Sequence, residues 1–178
     1  MSQANDVFQS AIKDAENLLQ HFNSLNSQPP PPETEVLKRA GLIMAMTAWE
    51  TYVEDRVLEH AKDRLEKLND PAIARLVESR LNEEIKRLHN PTSEKTIQLF
   101  LDYAGVDLNQ YWKWNHFEIK AVKDNLNRYM KLRGEVVHRS VTLKPCEPQA
   151  VTKDELEKLI RFLKNLVGST EKALEHST

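Results

Sequence analysis

Glycine is scarce in this sequence, four in 178 residues. With so few positions free to take left-handed backbone, tight hairpins and phosphate-cradling loops have little to be built from, and no glycine-rich nucleotide motif occurs. A single cysteine, Cys146, excludes an intrachain disulfide and offers no thiolate cluster for zinc. The longest near-apolar run, Gly41 to Trp49, falls far short of the roughly 20 residues that span a bilayer. Met1 to Asp6 is polar and Phe8 already begins an amphipathic pattern. No secretory leader or membrane partner is therefore expected, and the chain is read as cytoplasmic. Strand-type alternation, internal repeats and heptads are also lacking. What remains is an ordinary composition, 40% hydrophobic and 29% charged, of a length that suits one domain over residues 1–178.

Apolar residues recur at helical spacing along most of the chain. A first segment, about Asn5 to Ser24, carries Phe8, Ile12, Ala15, Leu18, Leu19 and Phe22. Pro29 to Pro32 then form a rigid connector rather than a docking site for a proline-reading partner, because no basic residues flank them. A long second segment, about Glu33 to Leu68, has an expected face of Leu37, Ala40, Met44, Trp49, Val53, Val57, Ala61 and Leu65. Its middle is apolar nearly all round and belongs inside a bundle. Asp70-Pro71 and Asn90-Pro91 read as N-cap and first-turn proline, starting segments of about Pro71 to Leu88 and Pro91 to Ala104, the latter ended by Gly105. The polar load on the third segment leaves one face in solvent. Between Val106 and His116 lie Tyr111, Trp112 and Trp114, suited to pinning a loop onto the core or, alternatively, to stacking on bases. A fifth segment runs from Phe117 with Ile119, Val122, Leu126, Met130, Val136 and Val137. The sixth, to about Leu174, opens with the capping box Thr152 to Glu155, and Gly168 is a candidate bend. The expectation is an all-α bundle of five to six helices around a long second helix.

The chemistry gathers near the end of the fifth segment. Arg133 and His138 stand five apart in Lys131-Leu-Arg-Gly-Glu-Val-Val-His-Arg139. An arginine offers a planar fork for phosphate, and a histidine moves protons near neutrality. Residues 115–144 hold seven cations against three anions, a local +4 within a chain of net −2. Lys120, Lys123, Arg128 and Lys131 are the candidate RNA-backbone contacts in that strip. Supporting carboxylates are Glu50 and Glu54, with Glu135 and Arg139 beside the motif. Glu50, abutting the buried centre of the second segment, needs a partner, and Arg133 or His138 would serve. His21, His60, His89, His116 and His176 lie scattered and are read as surface residues. One histidine plus dispersed carboxylates makes Glu50 and His138 a poor metal site, so neither metal nor cofactor is expected. On a regular helix, residues five apart point about 140° away from each other. A loosened turn at Gly134, a helix ending near Val137, or a site shared between two copies would bring them together, and the third is expected.

A long second helix with Ala48-Trp49-Glu50-Thr51-Tyr52-Val53-Glu54, a later Arg133-x4-His138 and a final amphipathic helix resembles the HEPN superfamily. It is similar in particular to standalone HEPN proteins of bacterial toxin and conflict systems, such as the RiboL-PSP-associated group. The resemblance implies a homodimeric helical bundle acting as a metal-independent endoribonuclease, with Arg133 and His138 facing their counterparts across the dimer. It also implies a toxin–antitoxin or phage-defence setting and a cognate antitoxin as partner. The family's position after the arginine is usually polar, whereas this chain has Gly134. Some relatives carry a modifiable tyrosine two residues after the histidine, where Ser140 stands here. Two other readings remain: a HEPN-like interaction or nucleotide-binding module without turnover, and an unrelated helical adaptor in which the Arg–His spacing is accidental.

Overall fold

Helix α2, Glu35–Leu65, touches each of the other five helices of the computed structural model and is the axis of the bundle. The structure describes residues 2–25, 27, 31–115, 117–138 and 151–176. Expectations placed on Pro29, Pro30, His116, Arg139, Ser140 and Cys146 lie outside that set. At about 1.5 Å per residue, α2 is about 46 Å long. Its buried line passes through Leu42, Ala45, Trp49, Val53, Val57 and Ala61, and the C-terminal half follows the expected face. The N-terminal half does not: Met44 is 37% exposed, while Leu42, Ala45 and Met46 are buried. Where nearly every residue is apolar, no polar contrast marks which side turns inward, so packing alone chose the register.

Helix α1, Gln3–Leu25, lies along α2 with Phe8, Ile12, Ala15 and Phe22 buried. Glu59 of α2 accepts the backbone N–H groups of Gln3 and Ala4 at 3.1 Å, satisfying orphan donors at the start of α1. Helix α3, Pro71–Arg87, begins as expected, with Asp70 accepting from Ala72 and Ile73. It buries only Leu81, so its polar load does face outward. Helix α4, Ser93–Ala104, departs from expectation at its start: Thr92, not Asn90, is the N-cap. Asn90 instead adopts φ +57°. Gly105 closes α4 at φ +70°, where a Cβ would stand 2.7 Å from Arg64 Nη1.

The loop after α4 is pinned to the core rather than held out for bases. Trp112 is wholly buried against Trp49, and its indole N–H donates to Thr170 at 2.9 Å. Trp114 stacks on Phe117 and packs against Phe162. Helix α5, Ile119–His138, buries Val122, Leu126, Tyr129 and Met130, whereas Val137, expected in its apolar set, is 48% exposed. Helix α6, Lys153–Glu175, runs unbroken through Gly168. Thr152 accepts from Glu155 N as a capping box requires, but the Glu155 carboxylate is drawn to Arg128. Across the centre, Glu171 of α6 accepts from Tyr52 at 2.7 Å and from Arg56 at 2.9 Å, a buried link to α2. The result is the all-α bundle expected. Among the described residues no strand occurs beyond one isolated bridge, Trp114 with Phe117, and no helix is long and apolar enough to cross a membrane.

Candidate functional site

A cleft of about 230 Å³ opens where the middle of α2, the α3–α4 connection and the end of α5 meet. Glu50, His89, Asn90, Arg133, Gly134, Val137 and His138 line it. Arg133 and His138 thus share one cleft within a single chain, although α5 stays helical between them. Gly134 and Val137, between them in the sequence, line the same cleft. Neither a broken turn nor an early helix end is needed.

Arg133 is held at both ends of its fork. Nη2 lies 3.1 Å from Glu50 Oε2, with both side chains about one-fifth exposed, 21% and 19%. Nη1 donates to Asn90 Oδ1 at 2.9 Å. Glu50 closes the ring by accepting from Asn90 N at 3.3 Å. The backbone turn at Asn90 is what allows this: φ +57° is a region that asparagine tolerates better than most residues. A buried polar atom left over is Arg133 Nε, which has no hydrogen-bond partner among the described residues.

The other predicted residues divide around this ring. Glu54, one turn beyond Glu50, is partly buried, and burial together with Glu50 and Asp55 raises its pKa, while His89 pulls it back down. Glu135 sits away from the cleft and pairs with Lys131 at 4.0 Å. Arg139 lies outside the described residues. Lys120 and Lys131 are exposed and fall within about 20° of His138 around α5. Lys123 is half-buried. Arg128 is committed elsewhere, paired with Glu155 and set 4.2 Å above the Tyr129 ring.

Two residues of the cleft carry no sequence signal for it. Asn90 reads locally as a cap, and nothing near His89 distinguishes it from a surface histidine. His60 is a different correction: it is buried, with Nε2 unpartnered among the described residues, and burial together with Arg56 and Arg64 lowers its pKa. A signal for that is present, because His60 stands three residues after Val57 on the apolar face of α2. Among the described residues no group of three or more His, Cys, Asp or Glu side chains could hold a metal ion.

Among known protein families, the model described as RiboL-PSP-HEPN matches residues 8–176. No curated protein and no solved structure matches the chain.

Proposed function

The chain belongs to the RiboL-PSP-HEPN family, and we propose from that premise that it is an endoribonuclease working in the cleft between α2 and α5. HEPN proteins serve functions related to nucleotides and RNA, often as ribonucleases. The observation that carries the finer reading is the shared cleft, with a guanidinium and an imidazole on its walls. In this mechanism an RNA 2′-hydroxyl attacks its own phosphodiester. The O2′–P bond forms, the P–O5′ bond breaks, and the products are a 2′,3′-cyclic phosphate and a 5′-hydroxyl. His138 takes the 2′ proton, and the Arg133 guanidinium stabilises charge on the phosphorane oxygens. Lys120 and Lys131 lie on the side of α5 that carries His138 and would steer the backbone toward it. Proton transfer and charge stabilisation by side chains need no metal, so activity should persist in EDTA.

The proposal extends to a homodimer whose second copy covers the exposed Val137 at the cleft, to a toxin or phage-defence role, and to a cognate antitoxin that restrains it. The test is incubation of purified protein with total RNA in EDTA, beside His138→Ala. Loss of proton transfer should cost on the order of 10²-fold or more. If the alanine variant cuts RNA as fast as the parent, the assignment is wrong.

A second reading has one observation in its favour. Both arms of the Arg133 fork are already taken, by Glu50 and Asn90, as they would be in a structural strut. On that reading the protein is a non-catalytic interaction or nucleotide-binding module. Tight binding without cleavage would identify it.

A further inference from the structure

The cleft contains two imidazoles. His89 belongs to the connection between α3 and α4, and that connection is held firmly. Its own N–H donates to Arg87 O at 2.8 Å, and its carbonyl accepts from Lys95 Nζ at 2.9 Å. The next residue, Asn90, is gripped by Glu50 and Arg133. A histidine on a loop tied down at this many points is positioned rather than adrift. It is exposed to solvent, and it interacts electrostatically with Glu54. Glu50 bonds Arg133, and Glu54, one turn further along α2, is near enough to feel the charge of His89.

We propose that His89 is the second proton carrier of this site, acting as the general acid opposite His138 on one phosphodiester. The inference rests on the ribonuclease reading above and completes its proton balance. Neutral His138 accepts the 2′-hydroxyl proton as the O2′–P bond forms. His89, as imidazolium, donates its proton to O5′ as the P–O5′ bond breaks. The two rings then restore their starting states by proton exchange with water. The division of roles follows from position, since the two rings stand on opposite walls of the cleft, one on α5 and one on the α3–α4 connection. Charged groups near His89 include Glu50 on α2, Arg133 on α5, Arg87 at the end of α3 and Lys95 on α4, the last bonded to its carbonyl.

A general acid is needed only while the leaving oxygen is a poor leaving group. The experiment compares two short single-stranded RNAs, one with an ordinary scissile phosphodiester and one with sulfur in place of the 5′-bridging oxygen, whose thiolate departs without a proton. The parent should cut both. His89→Ala and His89→Gln should each lose on the order of 10²-fold on the ordinary linkage, yet stay within about tenfold of the parent on the sulfur linkage. His138→Ala should be slow on both. If the parent cuts RNA and His89→Ala matches it on both substrates, His89 carries no proton and the inference fails while the ribonuclease reading stands. Equal losses on the two linkages would also overturn it, as the mark of a residue that only shapes the cleft. A parent that cuts neither substrate overturns both readings.

Discussion

Glu50 lies where a bound phosphate would feel it, and replacing it by glutamine separates its two effects. The carboxylate holds Arg133 at 3.1 Å and accepts from Asn90 N at 3.3 Å. A glutamine keeps an acceptor for these bonds and removes the charge. A phosphate seated on Arg133 would stand about 5 to 6 Å from that charge, worth about 3 kcal/mol of repulsion at an effective dielectric of 20. Because the two side chains are about one-fifth exposed, solvent screening reduces this to roughly 1 to 2 kcal/mol. Glu50→Gln should therefore bind single-stranded RNA about 5- to 30-fold more tightly, since each 1.4 kcal/mol is tenfold. The gain should shrink as salt rises. The pair's own loss should cost about 1 kcal/mol of stability, or a melting temperature lower by roughly 2 to 4 °C. Fluorescence anisotropy with a labelled RNA, run beside thermal melts, reads both. A folded Glu50→Gln protein that binds RNA no better than the parent at low salt would refute the idea that this carboxylate offsets a phosphate-binding arginine.

Two glycines should respond oppositely to alanine. Gly134 is inside α5, and a Cβ added there would meet nothing within 4 Å among the described residues, so Gly134→Ala should add about 0.5 to 1 kcal/mol of stability. Gly105→Ala should destabilise, because φ +70° strains an L side chain and the new Cβ would meet Arg64 Nη1 at 2.7 Å. Equal shifts in urea midpoint would contradict this account. His60 gives stability an acid dependence. Its folded pKa is lowered, so below about 6.5 the unfolded chain takes up a proton that the folded one resists, and stability drains away as pH falls through that value. Melting temperatures from pH 8 to 5 should fall less steeply for His60→Gln than for the parent. Parallel curves would show that His60 is not the group responsible.

The helices are legible in the sequence because their signals are local. Asp70 before Pro71, Thr152 three residues before Glu155, and Gly105 after α4 each act within one turn, and each ends or starts a helix as its chemistry requires. Where the local signal is ambiguous, more than one conformation satisfies it. Asn90 has the composition of a cap and also that of a left-handed turn residue, and only contact with Arg133 and Glu50 selects the second. Glu50's need for a partner is readable from its place beside an apolar run, though not which cation meets it. His89 has no local mark, since its meaning depends on a neighbour 49 positions along the chain, His138, meeting it in the same cleft.

By itself, then, the order of residues determined which stretches are helical, where most of them begin and end, and which residue types were available for chemistry near the end of α5. Periodicity and capping are short-range forces, and they act before any helix meets another. Tertiary structure decided which face of the apolar half of α2 turns inward, that Arg133 would be ringed by Glu50 and Asn90, and that two histidines from distant segments would open onto one cleft. Those outcomes depend on how whole helices pack against one another, where burial of large surfaces outweighs any preference a single residue expresses.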